Sequence, residues 1–541
     1  MASLSFRRRR ALLIAALASG LSWRARAQRP VTPTPDRASG AARGAAGDLP
    51  TRSRYVGMNL TGIAYWTSEF PFADLTKNSS GWEAWRNGST KDAGRLATTP
   101  EGYPSGLEPG QTAALAVAWN YTGYPLGAYV IRWDGEGELK FPLTEGRVTS
   151  RSPGRIVLEM TKNEGPMFVS IESTRPENPV RNVRFLWPGT EPTHAAQPFN
   201  PVFLERIAPF STLRFMDWGR TNHSPVVRWS DRPTLAQVTW AEGVGVPLEA
   251  MVSLANTLLA NPWFCVPHAA DDDYVRSMAA LLKAQLDPRL VATIEYSNEV
   301  WNGGFKQARY AVEQAQRAGL PVPSGFGSIW YAERTLRIAE IFEQAYGAGD
   351  SRRWRTVVCA QAAWTKFAED ALGWKNVAKK VRALAIAPYF DAGINEGLTA
   401  DAVLALSPEQ LLERMRSSIH GQVRERIAAN AKLAAKHGLQ LEAYEAGTHD
   451  TTFSFPADKQ DAVSARLSQA HRSAAMRAVY RDYLETWIAN GGELLNHYAD
   501  ISGGGKWGFW GVLDRVTQDP ATAPKYLGLL DAIAAHPLAP R

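Results

Sequence analysis

Two short stretches hold the residues best suited to chemistry. In IEYSNEVWNGGF, residues 294–305, Asn298-Glu299 ends an apolar run and Trp301 follows at once. In LEAYEAGTHD, residues 441–450, Glu445 ends a second such run. A protonated carboxyl can donate to a leaving oxygen, and an ionised one can attack an electrophilic carbon. Two carboxyls flanking one acetal bond are what cleavage of a glycosidic linkage requires. Either glutamate alone would be an ordinary solvated loop charge. The inference depends on both reaching one surface.

The elements that would bring them together form a series. RYVGMNL (54–60), STLRFMD (211–217), WFCVPH (263–268), VATIEYS (291–297), TVVCAQ (356–361), ALAIAPYF (383–390), LQLEAYE (439–445) and LLNHYAD (494–500) are short and strand-like. They look apolar on both faces, as parallel strands covered on both sides do. The segments between them have helical periodicity. In DDDYVRSMAALLKAQLDP, residues Val275, Met278, Ala279, Leu282 and Leu286 share a face, and Pro288 follows. Leu412, Met415, Ile419, Val423, Ile427 and Leu433 repeat the pattern before Gly438, and a further helical run covers about 459–489. Eight strands alternating with helices predict a (β/α)8 barrel, with a doubly wound open sheet as the alternative. A barrel presents its active face at the C-terminal ends of the strands. Glu299 would end the fourth strand and Glu445 the seventh, on one rim.

Residues 90–190 break this rhythm. ALAVAWN, AYVIRWDGEGELKF, RIVLEMT, MFVSIEST and VRNVRFLWPG alternate with a period of two around the turn Asp134-Gly135-Glu136-Gly137. They predict a β-sandwich inserted between the first and second barrel strands, with the barrel itself formed by 53–89 and 191–541.

At these residues the sequence resembles glycoside hydrolase clan A, the (β/α)8 retaining glycosidases that include many cellulases, mannanases and xylanases. The resemblance implies that Glu299 is the acid/base, Glu445 the nucleophile and Asn298 a partner of the sugar 2-hydroxyl. It implies that Arg214, on the second strand, keeps Glu445 in its carboxylate form. It also implies that His268 ends strand three near substrate and that Tyr389 donates to the nucleophile. Two departures stand out. Ala387-Pro388-Tyr389 replaces the His-x-Tyr common on strand six, and Asn496-His497-Tyr498 stands where many members place a Trp, with Trp507 and Trp510 following in a Gly-rich loop. The expected activity is retaining hydrolysis of a β-linked polysaccharide or oligosaccharide of the cellulose, β-glucan, mannan or xylan type. No cofactor and no metal are called for. A non-catalytic carbohydrate-binding protein and a transglycosylase are the other readings.

Composition agrees with a sugar-handling surface. The 19 tryptophans among 541 residues exceed what a core needs, and Trp66, Trp218, Trp301, Trp507 and Trp510 all follow strand ends. Residues 1–27 have a signal-peptide pattern: Arg7–Arg10, an apolar run to about Leu21, and Ala-Arg-Ala before Gln28. Export by a general secretory or twin-arginine route follows, to periplasm or exterior, with no membrane anchor left in the mature chain. Without the six arginines of that segment the net charge falls from +7 to about +1, so nucleic acid is not an expected partner. Residues 28–52 are Pro-, Ala- and Gly-rich and predict a flexible linker. Cys265 and Cys359 lie in apolar runs and suggest two buried thiols, and Asp271-Asp272-Asp273 suggests a helix N-cap. HExxH, GxSxG and GxxxxGK[ST] patterns are absent, and SGGGKW at 502–507 lacks the first Gly and the Ser/Thr of a phosphate loop.

Overall fold

The computed structural model describes residues 50–538 apart from 242, 395 and 396. The signal-peptide reading of 1–27 and the linker reading of 28–49 fall outside the described residues. Eight parallel strands form a closed barrel in chain order: Val56–Asn59, Thr212–Arg214, Asn261–Val266, Ala292–Tyr296, Trp354–Cys359, Val381–Ile386, Gln440–Ala443 and Gly492–His497. Met58 pairs with Leu213 and Val56 with Leu495, so the first strand bridges the second and the eighth. That closure rules out the open sheet. Gly57 lies where the strands crowd: a Cβ there would come within 2.1 Å of Asn496 Oδ1.

The strands are not apolar on both faces, contrary to expectation. Outward residues such as Phe264, Ile294 and Leu384 join the helix-facing core. The inward side combines Trp263, Val357, Cys359, Ala383 and Ala385 with charged groups. Arg355 donates to both oxygens of Glu442, at 2.5 and 2.9 Å, and to Thr293 Oγ1 at 2.8 Å. Arg214 and Glu295 form a second inward pair. Charges tolerate such burial only when paired and fully hydrogen-bonded.

The helices follow the predicted pattern with one break. Asp271 caps Asp272–Gln285 through the Tyr274 N–H (2.7 Å), and Asp272 pairs with Arg334 and Arg337. The run expected over 459–489 is two helices, Ala457–Arg472 and Met476–Ala489. Ser473 leaves the helix at ψ 138°, and its hydroxyl accepts the Ala475 N–H, a local bond that competes with helix continuation. Among the described residues no helix is long and apolar enough to cross a membrane.

Between the first and second barrel strands lie two four-stranded antiparallel sheets. One orders Trp82–Trp85, Thr112–Thr122, Glu164–Thr174 and Gly137–Lys140; the other orders Arg181–Leu186, Gly127–Asp134, Arg155–Met160 and Gly146–Ser152. The first of these strands precedes residue 90. Arg151 donates to the Leu139 carbonyl across the sheets, and Phe141 meets Phe185 edge-on. The Trp119 N–H donates to the Tyr65 carbonyl (2.8 Å), which seats the first sheet against the loop after barrel strand one.

Order reaches further toward the N-terminus than the linker reading to residue 52 allows. Arg52 is buried, and its guanidinium donates to the carbonyls of Ala208, Leu258 and Leu259 at the ends of two helices. A cation at helix C-termini satisfies orphan carbonyls and the helix dipole together. The Leu538 N–H donates to the Arg52 carbonyl, and His536 packs edge-on against Tyr55. Arg52→Met is therefore expected to lower the thermal midpoint by roughly 2–5 °C. A scanning-calorimetry trace indistinguishable from the parent would return this residue to the linker.

Candidate active site

The site is built on Arg214, which is fully buried at the end of the second strand. Its Nε and Nη2 donate to Glu295 at 2.9–3.1 Å, and Nη2 also reaches Asn298 Oδ1 at 2.8 Å. Nη1 donates to Asn59 Oδ1 and to Glu445 Oε1, both at 2.9 Å. A guanidinium has five N–H donors, and these contacts occupy all of them. Glu295 also accepts from Trp263 Nε1 (2.8 Å) and Cys265 Sγ (3.3 Å). One cation thus links strands one, two, four and seven.

Glu445 follows strand seven and is almost buried. Its second oxygen, Oε2, accepts the Tyr389 hydroxyl at 3.0 Å, so strand six joins the constellation. Burial, and then the charge of Glu445, push the Tyr389 phenol well up; Glu299 adds to the effect. Tyr444 is shifted in the same direction by burial and by the same two glutamates, and it accepts Trp301 Nε1 at 3.2 Å. Both carboxylates therefore bear on one small region.

Glu299 reaches that region through an irregular strand end. Ser297 (φ 61°) and Glu299 (φ 43°) adopt the left-handed conformation that side chains other than glycine rarely take. The break turns Asn298 inward to Arg214 and Asn222. Glu299 Oε2 accepts Asn302 Nδ2 at 2.7 Å, and Gln307 braces the turn through the Asn298 carbonyl (2.9 Å). Strain of this kind clusters at functional positions.

Trp510 packs edge-on against Tyr389, His449 and Tyr498, and its N–H donates to the Trp507 carbonyl. Trp507 is 56% exposed, stacked on Phe453 and faced by Lys506. Trp66 is 49% exposed. Trp218 is corrected: it is fully buried among Phe72, Phe203 and Phe215 and presents nothing to a ligand. His268 ends strand three as expected, but no hydrogen bond joins it to the Arg214 cluster. Burial holds it at about 4, hence neutral, its Nδ1 lacks a protein partner, and its ring stands edge-on to Tyr310.

Several contributors escaped sequence reasoning. Asp217 accepts the Tyr498 hydroxyl at 2.9 Å, and burial, with the charge of Glu445, raises it to about 6. Both residues lie just past strands, so the rule that found Glu299 and Glu445 would have found them. Glu295 and Asn59 had no such signal. Trp119, 41% exposed on the inserted sheet, adds an indole beside the loop of Trp66. Cys265 and Cys359 are free thiols; Cys359 is buried, and Cys265 is only partly covered. Among the described residues no group of three or more His, Cys, Asp or Glu is placed to hold a metal ion.

No family model and no curated protein matches the chain. Among solved structures it is similar to a GH5-4 broad specificity endoglucanase from Clostridium acetobutylicum, with 12% identity, a TM-score of 0.33, and 61% of this chain and 89% of that chain covered. It is similar to a 4-O-α-L-rhamnosyl-β-D-glucuronidase from Fusarium oxysporum 12S, with 13% identity, a TM-score of 0.36 and coverage of 60% and 61%. A family 51 α-L-arabinofuranosidase from Bifidobacterium longum aligns with 10% identity, a TM-score of 0.39 and coverage of 62% and 66%. The barrel follows from its own strand pairing and the site from its own contacts, independently of these likenesses.

Two outcomes are expected. Arg214→Met strands Glu295 in the barrel without its partner and should cost about 3–5 kcal/mol of stability, measured by denaturant unfolding; a loss below about 1 kcal/mol would contradict the shared-cation account. Asp217 has a folded pKa near 6, above the ordinary carboxylate value, so its ionisation disfavours the folded state. Thermal scans should show the parent losing midpoint relative to Asp217→Asn as pH rises from about 4 to 6, with no further divergence above.

Proposed function

We propose that this chain is an exported retaining β-glycoside hydrolase that cuts a β-linked polysaccharide internally. The observation that carries the reading is Glu445, fixed at the rim by Arg214 on one oxygen and Tyr389 on the other, with Glu299 delivered from strand four. Glu445 attacks the anomeric carbon while Glu299 gives its proton to the departing oxygen. The glycosidic C–O bond breaks and a glycosyl ester forms on Glu445. Glu299, now a carboxylate, takes a proton from water. That water attacks the same carbon, and Glu445 leaves as it began. Tyr389 and Arg214 hold the carboxylate in line through both displacements. The tryptophans offer flat apolar faces for pyranose rings, and the substrate class is the cellulose, β-glucan, mannan or xylan type.

The test is reducing-end release by the purified protein from a panel of β-glycans, with anomer detection by NMR. Glu445→Gln is expected to lower turnover by about a thousandfold or more, as loss of a nucleophile does. The parent should release the β anomer first. Binding of a glycan without release from any would favour a non-catalytic carbohydrate-binding protein, longer oligosaccharide products would favour a transglycosylase, and α-anomer release would sink the double displacement.

A further inference from the structure

Behind the tryptophan wall lies a buried polar cluster that the proposed reaction does not use. Lys525 opens the last helix, Pro524–Ala535, and is almost wholly buried. Its Nζ donates to Thr448 Oγ1 at 3.2 Å and to the Phe509 carbonyl, and Thr448 Oγ1 donates to that same carbonyl at 2.9 Å. Thr448 sits on the loop that follows Glu445, and Phe509 directly precedes Trp510. The neighbouring groups extend the link. Asp450 accepts the Ala392 N–H from the loop after strand six and meets His471 Nε2, both at 3.0 Å. The His471 ring stacks flat on Phe509, with centroids 4.5 Å apart and planes 4° apart.

We propose that Lys525 is a positioning residue that latches the loop bearing Trp507 and Trp510 onto the loop that follows Glu445. It touches neither substrate nor either catalytic carboxyl. Its effect is on where the sugar-binding wall stands relative to the nucleophile. Two backbone bonds tie the other end of the segment, from the Thr452 and Phe453 N–H groups to the Lys506 carbonyl at 2.9 and 3.1 Å, and Lys525 holds the end at Phe509. Between them the chain is glycine-rich, SGGGKWGFW, and Gly505 and Gly508 close a small turn on each other.

The latch has a direction in pH. Burial lowers Lys525 to about 7. The groups facing it are Asp450 and Asp514, which favour its charge, Arg472, which opposes it, the buried histidines His471 and His497, and the Tyr480 ring. Both histidines are held neutral by burial, and Asp450, raised to about 6, is ionised above neutrality. A neutral amine keeps two N–H donors for the two acceptors without a buried charge. Opening the wall would hydrate Lys525 and restore its ordinary affinity for a proton. Protonation therefore favours opening, and the closed wall gains stability as pH rises above about 7.

The experiment is hydrogen exchange of the full chain, following peptides over 502–511 between pH 7 and 9 and correcting for intrinsic rates. It needs no glycan, so its outcome is separate from that of the glycosidase reading on which the role of the wall rests. The parent should gain protection, by up to about tenfold per pH unit, the limit for one linked proton. Lys525→Met should be less protected at pH 9 and flat with pH. Lys525→Arg, whose guanidinium stays charged throughout, should be flat at the parent's pH 7 level. On a cleaved glycan, KM of the parent should fall over the same range while kcat does not follow it, and Lys525→Met should lose that trend. Protection in the parent that is flat or falls with pH overturns the latch even if Lys525→Met does not fold. A pH trend that persists in Lys525→Met or Lys525→Arg overturns it as well.

Discussion

The geometry of this barrel's rim depends on a single fully buried guanidinium. Burying one cation is costly unless its donors are all met and its charge is balanced. Arg214 meets both conditions by taking Glu295 as a bidentate partner and directing its other donors to Asn59, Asn298 and Glu445. The ion pair with Glu295 already balances its charge, so the contact with Glu445 serves to orient that side chain on the rim. Lysine cannot substitute, because three donors from a point charge do not reproduce a planar fork.

Strand ends were the legible part of this protein. Apolar runs, their spacing and the helical segments between them were enough to foresee a closed barrel. The rule that function gathers at the C-terminal ends singled out Glu299 and Glu445, while Tyr389 was reached only through the family resemblance. What stayed hidden was the inward face. Glu295 and Glu442 each sit alone inside an apolar run, and nothing local marks them as buried partners of Arg214 and Arg355, which are distant in sequence. Trp218 shows the converse. Its distance from a strand end resembles that of a cleft indole, but a tight turn, with the Gly219 N–H on the Phe215 carbonyl, sends the ring into the helix layer. Lys525 would pass for a surface lysine opening a helix, because its acceptors come from two loops remote in the chain.

Floor and walls obey different rules. On the floor, five donors meet five claims, so replacing Asn59, Glu295 or Asn298 leaves a buried N–H without an acceptor. The walls are loops and a sheet strand: Trp66 and Trp507 stand exposed on loops, and Trp119 on the strand Thr112–Thr122. Changes there alter which ring stacks where and leave the floor intact.

The meeting of Arg52 with Leu538 has a practical side. Both lie at the face where the strands begin, across the barrel from Glu299 and Glu445. A support or a second module joined beside Leu538 would occupy the face opposite Glu299 and Glu445 and leave their rim uncovered.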